Sequence, residues 1–217
     1  MARSSRKGAA PGEDVRQRLL SGAAGLFSTK GYAATTVREI VERAGVTKPV
    51  LYYYFRNKEG IYLEMMRGPL ERFASHLDAA AAEGGTARER IARLCLGAYE
   101  VFVEHLEHAR VMFAIYYGPP QGAPFVDFDA VHIRFQDAVL RLLEEGIRRG
   151  EFRKGNARDM MWVVIGAVNV AMELELCRPG ESIGSAGTAR MLEIVLDGIA
   201  PATGEAKGKG KGKGRGK

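Results

Sequence analysis

The stretch from Thr35 to Lys58, TTVREIVERAGVTKPVLYYYFRNK, constrains the fold more than any other part of this 217-residue chain. Thr36 followed three residues later by Glu39 reads as a capping box, in which each side chain satisfies the other's backbone N–H. Val37, Ile40, Val41 and Ala44 recur at helical spacing and predict one short amphipathic helix. Gly45 supplies the left-handed conformation that ends such a helix without a Cβ clash, and Val46 plugs the turn. Thr47 can cap a second helix, and Pro49 falls in its first turn, where a missing N–H costs nothing. Val50, Leu51, Tyr54 and Phe55 form the inward face of that helix, leaving Lys48, Tyr52 and Tyr53 outward. Two short helices joined by a glycine turn make a helix-turn-helix, whose second helix enters a DNA major groove. The pattern predicts a DNA-binding unit.

The longer run from Gly31 to Tyr62, GYAATTVREIVERAGVTKPVLYYYFRNKEGIY, resembles the DNA-binding domain of the TetR family of bacterial transcriptional regulators. The matching features are GY before the first short helix, TT-x-R-x-I, AGV, the LYYYF core and the NKE that opens the next helix. With the preceding helix, the likeness covers roughly residues 14 to 65. Tyr54 stands where the family often carries histidine, and Val41 where a smaller alanine is common. The expected groove residues are Arg38, Thr47, Lys48, Pro49 and Tyr53, with Thr36, Tyr52 and Lys58 on phosphates. Lys58 occupies the first position of a helix, where a cation opposes the macrodipole; that choice makes sense if it meets an anion there. The competing reading pairs it with a nearby acid such as Glu59.

The charge distribution agrees. Residues 1–60 hold 11 Lys/Arg against 5 Asp/Glu, residues 61–200 hold 15 against 20, and residues 201–217 hold 6 against 1. A basic first third before a mildly acidic body is expected when only the first part meets phosphate. Hydrophobic content of 46% with 27% charged is ordinary for a globular protein. The N-terminus has basic residues without a following apolar segment, and the apolar run Met160 to Met172 is interrupted by Asn169. Neither secretion nor a membrane span is expected, and the cytoplasm is the expected location. Cys95 and Cys177 lie in apolar helical patterns and read as buried reduced thiols.

In chain order, residues 1–12 form a basic arm in which Arg3, Arg6 and Lys7 could follow DNA. A first helix from about Glu13 to Lys30 covers the helix-turn-helix, because two short helices alone cannot bury a core. Asn57 caps a long fourth helix reaching about Ala82, with Pro69 inside it. Further helices are expected from Thr86 to about Glu107, Ala109 to Tyr117, Val126 to Arg149, Asn156 to Cys177 and Ser185 to Ile199, with a Gly/Pro loop at 118–124. Residues 201–217, ending KGKGKGKGRGK, alternate cations with glycine and forbid packed structure. The expected architecture is all-α with about nine helices. An N-terminal three-helix DNA-binding domain (residues 13–60) precedes a C-terminal helical bundle for ligand binding and dimerisation (residues 61–200).

Within the body, aromatic and sulfur side chains are dense, and pockets are lined by such groups with a few placed polar ones. The lining candidates are Phe102, Met112, Tyr116, Phe128, Phe135 and Trp162, with His132, Asn169 and Glu173 as polar partners. Asn169 and Glu173 are one turn apart in an apolar segment and are expected to point inward, where they need partners. The resemblance implies an effector cavity in this region. The last two helices are apolar over more than one face, so two from each of two chains would form a four-helix homodimer interface; the resemblance implies the same arrangement. No catalytic constellation, cofactor motif or metal-ligand spacing stands out. His105 and His108, at i and i+3 beside Glu104 and Glu107, read as an exposed polar face.

These features predict a sequence-specific transcriptional repressor, not an enzyme, acting as a homodimer on a palindromic operator and released by a small, partly apolar effector. The alternatives are an architectural protein binding DNA through its basic tail, and a small-molecule enzyme with a DNA-binding head.

Overall fold

The computed structural model describes residues 11–118 and 120–201. The basic arm, with Arg3, Arg6 and Lys7, and the Lys/Gly tail beyond residue 201 lie outside them. Among the described residues the fold is all-α, with nine helices: α1 (Pro11–Lys30), α2 (Val37–Ala44), α3 (Lys48–Phe55), α4 (Lys58–Ala82), α5 (Ala87–Glu104), α6 (Leu106–Tyr116), α7 (Phe128–Arg149), α8 (Ala157–Cys177) and α9 (Gly184–Gly198). A 3-10 turn, Pro179–Glu181, precedes α9.

Residues 11–73 with 101–128 form one compact unit, and residues 74–100 with 129–201 form a second. In the first unit, α1 contributes Leu19, Ala23 and Phe27 to a core completed by Ile40 of α2, Leu51 and Phe55 of α3, Ile61, Tyr62 and Met65 of α4 and Val111 of α6. Burial of these side chains from five helices is what holds two eight-residue helices in shape, since helices that short are marginal in isolation. At the centre Phe27, Tyr32 and Tyr62 pack pairwise with ring centroids 5.1 to 6.0 Å apart.

In the second unit the buried side chains include Ile91, Leu94, Cys95 and Ala98 of α5, Val139 and Leu143 of α7, Val164, Ile165 and Val168 of α8, and Leu192 and Leu196 of α9. Gly97 is glycine because His76 of α4 lies where its Cβ would be: the ring would come within 2.0 Å. That approach lets His76 Nε2 meet the Leu94 carbonyl at 2.9 Å. Arg90 reaches Glu145 of α7 at 3.0 Å, and Arg88 pairs with Glu193 and Asp197 of α9.

Some expectations need correction. The helix read through Glu107 stops at Glu104, and α6 starts two residues later at Leu106 with His105 as its N-cap. Cys95 is buried, which pushes its thiol up to about 12, but Cys177 is exposed because it is the last residue of α8. Asn169 and Glu173 are exposed rather than inward. The register of α8 gives the core to Val164, Ile165, Val168 and Ala171, and places Asn169 on an opposite stripe with Trp162, Val163 and Val170. Among the described residues α8 is also the one helix long and apolar enough to cross a membrane. His105 and His108 are half-buried rather than part of an exposed face; only Glu104 and Glu107 of that group are exposed.

Candidate nucleic-acid interface

The helix-turn-helix is built by local rules that the structure displays atom by atom. Thr36 is the N-cap of α2, and its Oγ1 accepts from the Glu39 N–H at 3.3 Å. The Glu39 carboxylate in return accepts from the Thr36 N–H at 2.9 Å, closing the capping box. The same carboxylate meets Lys30 at the end of α1. The Lys30 bond first, then the two from Thr36, lower its pKa to about 2. Gly45 ends α2 in the left-handed region (φ 66°, ψ 39°), and the Val46 N–H returns to the Val41 carbonyl at 3.0 Å. Arg18 of α1 donates to the Ala44 carbonyl at 3.0 Å, so a cation sits at the negative end of α2.

Thr47 occupies the N-cap position of α3, but its side chain makes no capping bond. The sequence expectation of a hydroxyl cap fails there, and Pro49 in the first turn carries the helix start instead. Leu51 and Phe55 are buried, Val50 and Tyr54 are half-buried against the same core, and Lys48, Pro49, Tyr52 and Tyr53 are exposed. Tyr53 is 82% exposed, a high value for an aromatic ring, and it stacks edge-on with Tyr54 at 5.1 Å. The outward face of α3 is therefore a row of hydroxyl, ammonium and aromatic groups on a rigid short helix. Arg38, exposed on α2, holds Glu42 one turn later at 2.7 Å.

The α3–α4 joint is tighter than its sequence suggests. The Asn57 N–H donates to the Phe55 carbonyl at 2.7 Å across Arg56, whose φ of 63° is positive and therefore strained for a residue with a side chain. Asn57 Oδ1 then caps α4 through the Gly60 N–H at 2.7 Å. Gly60 is obligatory, since a Cβ there would sit 2.0 Å from the Phe55 oxygen. Lys58, expected on phosphate, is half-buried; its Nζ donates to the carbonyls of Tyr32 and Thr35 at 2.9 and 3.0 Å and lies 4.3 Å from the Tyr32 ring centroid. It faces backbone carbonyls rather than Glu59. The Tyr32 N–H is taken by Gln121 Oε1 at 2.8 Å, so the Gly/Pro loop after α6 fastens the turn that precedes α2. Gly31 has φ 82°, and a Cβ there would meet the Gln121 oxygen at 2.5 Å. Sequence reasoning missed Arg18 and Gln121, because neither belongs to a local pattern.

The nine effector candidates divide between the two units. Phe102, Met112, Tyr116 and Phe128 belong to the first; His132, Phe135, Trp162, Asn169 and Glu173 belong to the second. Phe102 of α5 meets Phe113 at 6.4 Å, Phe113 meets Tyr117 at 5.4 Å and Tyr117 meets Tyr116 at 4.9 Å, a chain of rings that runs from the end of α5 along α6. Phe128 packs against the first unit's core, and Phe135 is buried. His132 is exposed, and Trp162 is 52% exposed. Among the described residues no group of three or more His, Cys, Asp or Glu is placed to hold a metal ion.

The family model described as bacterial regulatory proteins, tetR family, matches residues 19–65. Over 198 residues the chain is 30% identical to the HTH-type transcriptional repressor KstR2 of Rhodococcus jostii (strain RHA1), covering 85% of this chain and 91% of that one. Among solved structures, the ketosteroid transcriptional regulator KstR2 of Mycobacterium tuberculosis superposes with a TM-score of 0.67 at 25% identity, covering 85% of this chain and 94% of its own. The TetR family regulator PfmR from Thermus thermophilus, at 23% identity and a TM-score of 0.67, shares the fold over 83% of this chain and 97% of its own.

Proposed function

The chain belongs to the TetR family of DNA-binding transcriptional regulators, and from that premise we propose that it is a homodimeric repressor released from a palindromic operator by a small, partly apolar effector. The observation that carries DNA reading is the face of α3, where Lys48, Pro49, Tyr52 and Tyr53 stand exposed on a helix whose other side is buried. Thr47, with no cap to make, is available to a base or phosphate. Arg38 joins them by exchanging its contact with Glu42 for the groove, and Thr36 and Tyr52 take phosphates. We assign this work to residues 13–60, and effector binding and dimerisation to residues 61–200, in the cytoplasm.

Lys58 has a double role in this reading. Its ammonium holds the Tyr32 and Thr35 carbonyls with two of its protons, leaving a third for a DNA phosphate at the start of α4. Lys58→Ala should weaken binding to all sequences alike and reduce the slope of log affinity against log salt by about 1. Anisotropy titrations across a salt series check this, and an unchanged slope would remove Lys58 from the phosphate contacts.

The effector reading rests on the aromatic chain from the end of α5 along α6 and on the relatives, two of which are KstR2 proteins, one described as a transcriptional repressor and the other as a ketosteroid transcriptional regulator. An apolar, ring-bearing molecule suits those side chains. Its effect is a population shift: the effector must bind more tightly to a dimer whose recognition helices are wrongly spaced for successive major grooves. Native mass spectrometry of the purified protein, followed by operator titration with whatever small molecule is retained, tests this. A retained molecule that leaves operator affinity unchanged would remove the mechanism.

A further inference from the structure

The turn between α7 and α8, in the second compact unit, is fixed by its backbone and covered with cations. The Gly150 N–H returns to the Ile147 carbonyl at 3.2 Å and the Glu151 N–H to the Gly146 carbonyl at 2.8 Å. With Gly150 at φ 75°, these two bonds close α7 on a left-handed glycine. Phe152 is buried against Gly146, and Asn156 Oδ1 caps α8 by accepting from the Arg158 N–H at 3.0 Å. The side chains left outward are Arg148, Arg149, Arg153, Lys154 and Arg158, all exposed. Arg149 pairs with Glu145 and Glu151, whereas the other four have no ion pair among the described residues. Glu144 and Asp159, exposed and likewise unpaired, offset two of those four.

Helix stability accounts for only part of this charge. Arg148 and Arg149 sit at the negative end of α7, but Arg158 lies in the first turn of α8, where a cation opposes the macrodipole. The turn also departs from its surroundings. Residues 148–159 hold 5 Lys/Arg against 2 Asp/Glu, while the remainder of residues 61–200 holds 10 against 18. The Arg153 N–H donates to the Ile199 carbonyl at 2.9 Å, so the chain leaves α9 beside this turn. Residues 201–217, with 6 Lys/Arg against 1 Asp/Glu, follow from that point. Two runs of like charge thus start from one place, at a cost in repulsion that a polyanion would remove.

We propose that the α7–α8 turn and the Lys/Gly tail together form a second, sequence-independent contact for the backbone of duplex DNA, separate from the outward face of α3. In the tail a cation recurs at every second residue, so neighbouring charges stand at most about 7 Å apart along the chain. One strand of B-form DNA presents a phosphate about every 3.4 Å of helix axis, so such a chain can meet every second phosphate. Single strands are held by aromatic stacking as well as charge, and neither the turn nor the tail exposes an aromatic ring. A membrane surface is bound by cations beside an apolar face, and the large apolar side chain of the turn, Phe152, is buried. Glycine between the cations leaves nothing to read a base edge. Such a contact keeps the protein on DNA between encounters with its operator, the condition for sliding and hopping.

Anisotropy titrations of full-length protein with a labelled duplex of scrambled sequence, repeated across a salt series, test the contact. A tail variant replaces Lys207, Lys209, Lys211, Lys213, Arg215 and Lys217 by glutamine. A turn variant combines Arg153→Gln, Lys154→Gln and Arg158→Gln, all exposed and without ion pairs, so its thermal midpoint should hold. Each cation that meets a phosphate adds about 0.9 to the slope of log affinity against log salt. The tail variant should therefore lose about 3 to 5 of that slope and the turn variant about 2. The same losses are expected in a Lys48→Ala background, because α3 is not the element involved. A wild-type slope in either variant would overturn the proposal. So would tighter binding of the wild-type protein to phosphatidylserine vesicles than to the duplex, since the partner would then be a membrane surface.

Discussion

Glu39 shows how one half-buried side chain can set the geometry of a recognition unit. It answers Thr36 in the capping box and Lys30 at the end of α1, and these bonds lower its pKa to about 2. Its folded pKa lies below its unfolded one, so its contribution is complete above the ordinary carboxylate range near 4.5 and is lost as pH falls toward 2. Glu39→Gln keeps an acceptor for the Thr36 N–H but not the charge. Urea midpoints measured between pH 5 and pH 2 should therefore fall less steeply for the variant than for the wild type, and parallel curves would show that the charge does not matter. The capping box was legible in the sequence because its members are three residues apart and the rule is local. The Thr47 cap was read by the same rule and failed, since Pro49 already sets the helix start.

At the scale of elements, what could be read from sequence was what lies within one turn. The helices, their order and Gly45 follow from periodicity and turn chemistry, and the helices are found close to where those signals put them. Contacts between distant segments could not be read. Arg18 on Ala44 spans 26 residues and Gln121 on Tyr32 spans 89, and neither side chain carries a mark of its partner. The inward direction of Asn169 and Glu173 could not be read either, because a helix apolar on more than one face has no single inward side. The break at His105 has no glycine or proline to announce it. The Gln121 contact predicts that the loop after α6 steadies the turn before α2. Gln121→Ala should leave the Tyr32 N–H unpaired, destabilise the first unit by about 1 kcal/mol and speed hydrogen exchange at that amide. Gln121→Glu, which restores an acceptor, should recover protection. Equal exchange in all three proteins would mean that the loop does not hold the turn.

For the whole molecule, the proposed dimer makes the sharpest demand. Trp162, Val163 and Val170 on α8 and Ile194 on α9 are exposed apolar side chains on helices that pack on each other through their other faces. Covering them with a second copy explains why residues so apolar stand outside the core. Val170→Asp with Ile194→Asp should give a monomer by sedimentation with unchanged helix content. Because two linked heads read two half-sites, the monomer should bind operator about 100-fold more weakly or worse. A dimeric double variant would place the interface elsewhere.

In the proposed dimer α3 reads base edges and the two heads sit about 34–36 Å apart on DNA. Selection of bound fragments from a random duplex library, with the protein first stripped of small molecules, tests this most directly. The expected result is recovery of a two-fold symmetric motif that is bound far more tightly than its scrambled counterpart, with the preference altered by Lys48→Ala. Recovery of no common motif, or equal affinity for scrambled duplex at physiological salt, would contradict it.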